Sequence, residues 1–172
     1  AAGLVAVLLR DSADRLNEQE HQTQNTIVQS VIKRQMAKLR TYIFDYAVWD
    51  DTYDQFAGEP DAQWLKENLG PYVVPTFQVS NAAVISAGGK LRYWYDEKSG
   101  EDKHPHTDDL AMLVEHARTA VADERAGRAT PIIGTIKFDG RPYFLAVYAI
   151  SVGSDKRKAG PERSSNALIY LK

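Results

Sequence analysis

Residues 11–57 contain neither proline nor glycine, and this constrains the fold of the chain more than any other feature of the sequence. Both residue types interrupt helices, and good helix formers dominate the stretch. Residues 11–25 are almost wholly polar, whereas apolar residues recur at helical spacing from Ile27 onward. The sequence therefore predicts a long amino-terminal helix over residues 1–57, which ends before Gly58.

The first nine residues form a continuous apolar run that stops at Arg10. A helix needs about 20 apolar residues to cross a bilayer, so this run cannot cross one by itself. It also lacks the charged start and the cleavage site of a signal peptide. Two interpretations remain open: residues 1–9 are the outer end of a transmembrane helix, or they pack on a partner chain or on their own domain.

The length and composition of the chain exclude several classes of protein. The 172 residues suit one domain, residues 1–172, that can bury a core without disulfides or metals. The formal net charge of −2 gives no reason to expect nucleic acid as a partner. The chain has no cysteine, which excludes disulfides and thiol catalysis and fits a cytosolic or a bacterial extracytoplasmic protein.

After Gly58 the sequence changes from helical spacing to short segments separated by turn residues. The first predicted elements are a helix at 62–69, capped by Asp61 and closed by Gly70-Pro71, and two strands at 76–86 and 91–95. A helix at 107–125, capped by Thr107, follows. The last elements are strands at 131–138 and 141–150 around the turn Asp139-Gly140, a loop at 153–165 and a strand at 166–171.

This order of elements predicts the fold class. A strand pair, a crossover helix and a three-strand meander make a five-stranded antiparallel sheet with helices on one face. The expected fold is therefore α+β, with residues 58–172 as the core and the long amino-terminal helix packed on the sheet.

The end of the long helix carries the motif Asp45-x-x-x-Trp49-Asp50-Asp51-x-Tyr53. At helical spacing Asp50 lies about 40° from the centre of the apolar face, among the rings of Tyr46, Trp49 and Tyr53. Such a carboxylate must be paired or hydrogen-bonded, or its pKa shifts until it is neutral. It could bind an amine through charge and cation–π contacts. It could equally accept hydrogen bonds from backbone amides of a loop, or pair with a basic side chain such as Arg92.

The predicted sheet supplies further candidates for a pocket. Arg92 and Trp94 alternate with tyrosines on the second strand, and an inward Arg92 would suit an anion such as a carboxylate. Phe144 and Tyr148 share one face of the fourth strand. The candidate ligand-binding residues are therefore Asp50, Trp49, Tyr46, Tyr53, Arg92, Trp94, Phe144 and Tyr148.

Metal and enzyme chemistry find little support in the sequence. Asp50, Asp51 and Asp54 diverge on a helix, whereas cages for hard cations usually come from loops. His104 and His106 lie in a polar loop without a third ligand nearby in sequence. The motifs of phosphate-binding loops, dinucleotide-binding folds, zinc proteases and nucleophile elbows are absent from the sequence. We therefore expect no catalytic residues, no metal and no cofactor.

The motif around Asp50 resembles the signature of the fourth class of CHASE domains. Residues 81–89 are similar to the strand and glycine-containing turn of that family, and residues 140–146 to its late hairpin. The resemblance extends over residues 40–171. It implies a sensor fold of the PAS or Cache type, a five-stranded antiparallel sheet on which a long amino-terminal helix packs.

The resemblance also implies a function. It suggests a periplasmic domain that senses a small molecule and is anchored in the inner membrane as part of a bacterial histidine kinase or a diguanylate cyclase/phosphodiesterase. The residues themselves indicate the partners: Asp50 suits an amine and Arg92 a carboxylate as ligand, and the amino-terminal helix suits a homodimer contact. A second hypothesis is a ligand-free dimerisation or protein-interaction module of such a receptor. A third hypothesis is a small hydrolase that uses the acids of the motif around Asp50.

Overall fold

The computed structural model describes residues 2–101, 103–153 and 165–172, with side chains from residue 18 onward. The helices are α1 (Ala2–Ala47), α2 (Asp50–Ala57), α3 (Ala62–Asn68), α4 (Gly70–Phe77) and α5 (Thr107–Arg125). The strands are β1 (Asn81–Ser86), β2 (Leu91–Asp96), β3 (Ile132–Phe138), β4 (Arg141–Ala149) and β5 (Asn166–Leu171). The side chains of the apolar run at residues 1–9 and most of the predicted loop at 153–165 lie outside the described residues.

The chain divides into two compact units, Ala1–Ala37 and Lys38–Lys172. The described part of the first unit is helical. The second contains the sheet, the remaining helices and the end of α1. Within the described residues, no helix combines the length and the apolar run that membrane crossing would need.

The five strands form one antiparallel sheet in the order β2-β1-β5-β4-β3. The last strand in sequence therefore lies at the centre of the sheet, between β1 and β4. Its register places Leu171 opposite both Asn81 and Leu145. This confirms the predicted α+β fold with a five-stranded antiparallel sheet and a long amino-terminal helix.

The sheet is covered on both faces, so the expectation that all helices lie on one face is wrong. On one face Leu39, Ile43, Phe56, Val73 and Val74 from α1, α2 and α4 pack on residues such as Tyr148 and Tyr170. On the other face, α5 packs its apolar stripe on the alternate strand residues, including Ile169 and Leu171. The physical reason lies in the sequence of β5, Asn-Ala-Leu-Ile-Tyr-Leu, which does not alternate between apolar and polar residues. All six residues are buried, a pattern typical of strands covered on both sides.

The prediction of one helix through residue 57 is also wrong. α1 ends at Ala47, and Trp49 is extended with φ −93° and ψ 127° before α2 begins at Asp50. Val48 and Trp49 are weak helix formers, whereas Asp50 and Asp51 suit the positive end of a new helix dipole. The sequence around the motif therefore favours a break followed by a restart, and the break separates Asp50 from the apolar face of α1.

Gly70-Pro71 begins a helix, although the sequence predicted a turn there and a strand from residue 76. Pro71 suits the first turn of α4 because its missing N–H would have no helical partner there. Gln78, with φ 55°, ends this helix, and β1 begins only at Asn81. The predicted helix cap at Asp61 is correct, because its carboxylate accepts the Trp64 N–H. The predicted cap at Thr107 is wrong, because Thr107 is the first residue of α5 and His106 occupies the cap position.

The two predicted hairpins are present. Asp139 and Gly140 have φ values of 46° and 73°, which a type I′ turn requires. In the first hairpin the register shifts, so that Val84 pairs with Tyr93 while Ile85 pairs with Leu91. Arg92 lies in this bulge, and the simple alternation predicted for residues 91–95 breaks there.

Candidate functional site

Asp50 connects the break between α1 and α2 to the chain that leaves β4. Its Oδ1 accepts a hydrogen bond of 2.7 Å from the backbone N–H of Gly153. Beside it, the Ser151 N–H donates to the carbonyl of Ala47, the last residue of α1, at 2.9 Å. We call these four residues the helix junction. This is the contact with a loop amide that the sequence left open for Asp50, beside an amine ligand and a pairing with Arg92.

Gly153 allows the close approach at the helix junction. A Cβ added to it would lie 3.3 Å from Asp50 Oδ1 and 3.8 Å from the carbonyl oxygen of Val48. The first distance is tight for a carbon atom, so a larger residue would push the carboxylate away from the N–H that it binds. The glycine thus permits the hydrogen bond that the Asp50 carboxylate accepts.

The other end of α2 is attached to the start of β5. The side-chain amide of Asn166 donates to the carbonyl of Phe56 at 3.1 Å, in a buried position. Asp50 and Phe56 therefore bind the chain on either side of the β4–β5 connection, at Gly153 and at Asn166. A displacement of the central strand would act directly on α2.

Aromatic rings pack around the helix junction. Trp49 lies edge-on to Tyr46, with ring centroids 5.8 Å apart, and the same distance separates it from Trp64. Tyr46 in turn contacts Phe77. Burial raises the pKa of Tyr46 to about 12, with contributions from Tyr72 and Asp45, so its hydroxyl stays protonated at neutral pH. Tyr46, Trp64 and Phe77 also pack against the core, so the ring cluster beside Asp50 is partly buried.

The structure brings together only some of the predicted ligand residues. Tyr53 follows Trp49 by one turn of α2 and packs against the same core, as do Phe144 and Tyr148. Arg92 lies elsewhere: its guanidinium donates to the carbonyl of Gly58 and lies 3.6 Å from Glu59.

Trp94 lies on the opposite face of the sheet, in the core formed with α5. Its ring stacks on Phe138, with centroids 5.9 Å apart and an interplanar angle of 27°. β2 and β3 are the two edges of the sheet, which in a flat sheet would lie about 19 Å apart. The sheet must therefore curl until its edges meet at these two rings.

A cleft opens at the contact between these rings, with a cavity volume of ≈ 40 Å³. We call it the Trp94 cleft. Its lining includes Trp94, Phe138, His104, His106, Asp109 and Asp139. Of these, sequence reasoning proposed only Trp94 as a ligand residue. Phe138 carried no signal in the sequence, because its contact with Trp94 depends on the curl of the whole sheet.

Hydrogen bonds fix the walls of the Trp94 cleft. Asp109 Oδ2 accepts the backbone N–H of Asp139 at 3.1 Å, and His106 Nε2 lies 3.9 Å from Asp139 Oδ1. The β3–β4 turn is thereby attached to the start of α5. The Trp94 side chain is almost fully buried, and its Nε1–H has no hydrogen-bond partner among the residues that the structure describes.

Asp96, at the end of β2, also lines this cleft. Burial raises the pKa of its carboxyl, but hydrogen bonds from Ser99, Asn81 and Lys98 outweigh burial, so the pKa lies below its usual value. Both carboxylate oxygens are used by these donors. In the part of the chain that the structure describes, no group of three or more His, Cys, Asp or Glu side chains is arranged to hold a metal ion.

Comparison with protein families matches residues 31–171 to the CHASE4 domain. The chain belongs to the CHASE4 domain family. This confirms the resemblance carried by the motif around Asp50. CHASE4 domains are extracytoplasmic sensory domains, and the family is not catalytic.

Comparison with solved structures found two chains that are similar to this one. One is the sensory domain of the Campylobacter jejuni chemoreceptor Tlp3 (CcmL) with isoleucine bound, at 10% sequence identity and a TM-score of 0.44. The other is the ligand-binding domain of the same chemoreceptor in complex with L-valine, at 13% identity and a TM-score of 0.43. Each match covers 86% of this chain and 61% of the other, so this CHASE4 domain spans about three fifths of those chains.

Replacing Asp50 should destabilise the CHASE4 domain. Asp50→Ala removes a charge-assisted hydrogen bond and leaves the Gly153 N–H without its acceptor, so the free energy of unfolding should fall by about 1–3 kcal/mol. Asp51→Ala is the matched control, because Asp51 is exposed in the same first turn of α2. It should lose only the interaction of an exposed acid with the helix dipole, about 0.3–1 kcal/mol, which Asp50→Ala loses as well. Urea denaturation measures both, and equal losses would contradict a role specific to Asp50.

Proposed function

We propose that this CHASE4 domain senses a small molecule for a membrane-bound bacterial signalling protein. In this proposal the domain lies in the periplasm, and its ligand controls a cytoplasmic histidine kinase or a diguanylate cyclase/phosphodiesterase. The match of residues 31–171 to a family of sensory domains is the observation that carries the proposal.

The helix junction supports a route for the signal. Ala47 is the last residue of α1, and its carbonyl accepts the Ser151 N–H at the start of the β4–β5 connection. α2 contacts the two ends of that connection through Asp50 and Phe56. A ligand that favours one position of the sheet would therefore bias the end of α1 relative to the last strand. We propose that this shift or rotation is the output of the domain.

A direct role of Asp50 in ligand binding stays a prediction. A ligand amine that reached its carboxylate would share or replace the hydrogen bond from Gly153. Binding there would act on the helix junction itself, through the aromatic rings of Tyr46 and Trp49 that pack beside it. The proposed ligand class is accordingly a small amine or a carboxylate.

A thermal-shift screen of small amines and carboxylates tests the sensory function. At least one compound should raise the melting temperature, because a ligand that binds only the folded state adds about 2.7 kcal/mol at a concentration of 100 times Kd. A compound that stabilises the wild type should also stabilise Asp51→Ala, because this variant keeps Asp50. The proposal would fail if no compound in either class changed the melting temperature.

We further propose that the full receptor is a homodimer through its amino-terminal helix. Ile27, Val28 and Val31 are 58%, 53% and 50% exposed on α1. Ile27 and Val31 are four residues apart and so lie on the same side of the helix. Apolar side chains grouped on one side of a helix suit the contact between two parallel copies.

Sedimentation velocity tests this dimer. Val31→Glu should raise the dimer dissociation constant more than about tenfold, because it places a charge in an apolar contact. Gln29→Glu is the matched control on the same helix, and it should leave association unchanged. A wild-type protein that stays monomeric at high micromolar concentration, or equal effects of the two variants, would contradict the dimer.

A further inference from the structure

We propose that the Trp94 cleft binds a small organic cation that also carries an oxygen acceptor, such as an amino alcohol. This inference deepens the proposed sensory function and rests on it, since it names the site and the chemical class of the ligand. The cleft lies on the α5 face of the sheet, whereas the helix junction lies on the face of α1 and α2.

The floor of the cleft suits a cation. Trp94 and Phe138 present stacked rings with centroids 5.9 Å apart. The faces of aromatic rings attract ammonium groups, tryptophan most strongly. An anion would face the negative side of the same rings, and its binding would be weakened.

The charges of the walls also favour a cation. Asp96, Asp109 and Asp139 line the cleft together with one lysine, Lys103, which gives a formal charge of −2 when His104 and His106 are neutral. Asp96 is fully used by its own hydrogen bonds, but Asp109 offers its second oxygen and Asp139 is about half exposed. An ammonium group could therefore bind between Asp109 and Asp139, beside the rings that line the cleft.

The buried indole N–H of Trp94 needs a hydrogen-bond acceptor. Its side chain is 5% exposed, and its Nε1–H has no partner among the described residues. Buried donors in native proteins are almost always satisfied, by protein, by water or by a ligand. A hydroxyl or carbonyl oxygen of the ligand would accept this hydrogen bond. The ligand thus needs a positive charge and an oxygen a few bonds apart.

The size of the cleft limits the ligand. A water molecule occupies about 10–15 Å³ of such a volume, so ≈ 40 Å³ holds about three to four water-sized groups. Ethanolamine, with a nitrogen, an oxygen and two carbons, has the required size and both groups. For so few atoms the dissociation constant should be no tighter than about 50 µM.

Titration with ethanolamine, followed by the indole resonances in ¹⁵N–¹H spectra, tests the proposal. The chain has three tryptophans, and Trp94→Phe assigns the resonance of interest while keeping an aromatic ring. Ethanolamine should shift the Trp94 resonance more than those of Trp49 and Trp64. Propylamine, which lacks the oxygen, and 1,2-ethanediol, which lacks the charge, should each bind at least about tenfold more weakly.

Two matched variants locate the charge. Asp139→Asn keeps a residue that tolerates the φ of 46° at this turn, and it should weaken ethanolamine about tenfold. Asp108→Asn removes an exposed aspartate from the same end of α5 and should change binding less than about twofold. This pair keeps the test valid even if Trp94→Phe folds poorly.

The outcomes separate this inference from the function on which it rests. The inference is overturned if ethanolamine leaves the Trp94 resonance unchanged. It is also overturned if Asp139→Asn and Asp108→Asn weaken the binding of ethanolamine equally. If the thermal-shift screen yields a ligand whose affinity neither Asp139→Asn nor Trp94→Phe alters, the sensory function stands and the cleft is not its site. If the screen yields none and ethanolamine does not bind, both fail.

Discussion

The hydrogen bond from the Gly153 N–H to Asp50 is the contact on which the arrangement around α2 depends. It joins residues 103 positions apart in sequence, at the point where α1 has ended and α2 begins. A charged acceptor paired with a backbone donor is stronger than a neutral pair, and its loss would leave a partly buried donor unpaired. The break in the long helix, the position of Trp49 and the attachment of the β4–β5 connection all meet there.

The helix junction is connected to the centre of the sheet, because the chain beyond Gly153 continues into the central strand β5. β5 pairs with β1 on one side and β4 on the other, and Asn166 at its start holds the end of α2. Its side chains alternate between the two cores, so Tyr170 packs toward α1 while Ile169 packs toward α5. The Trp94 cleft is lined by β2, β3 and the start of α5, so a change there would reach β5 through the neighbouring strands β1 and β4 or through α5, which packs on β5.

Local signals in the sequence were sufficient for most of the sheet. The turn at Asp139-Gly140 encodes its own geometry, and the stripe on α5 encodes a helix that covers a sheet. The motif around Asp50 identified the family. Helical spacing alone missed the helix break inside the motif, because the break is signalled only by the weak helix propensity of Val48 and Trp49 and by the two acids that follow them. It also missed α4, since Gly70-Pro71 is equally typical of a turn and of a helix start.

The candidate site was less predictable than the fold. The sequence proposed Asp50 and Trp94 as residues of one ligand site, but they lie on opposite faces of the sheet, a separation that depends on both faces being covered. Phe138 meets Trp94 only because the sheet curls, and curl is a property of all five strands together. Chemistry that depends on non-local contacts of this kind leaves no periodic signal along the chain.

Hydrogen exchange of the Gly153 amide shows whether Asp50 holds the β4–β5 connection, since that amide is the donor at the helix junction. The amide should exchange slowly in the wild type, about tenfold or more faster in Asp50→Ala, and at the wild-type rate in Asp51→Ala. If the Gly153 amide exchanged as fast in the wild type as in Asp50→Ala, Asp50 would not hold the β4–β5 connection and the account would be contradicted.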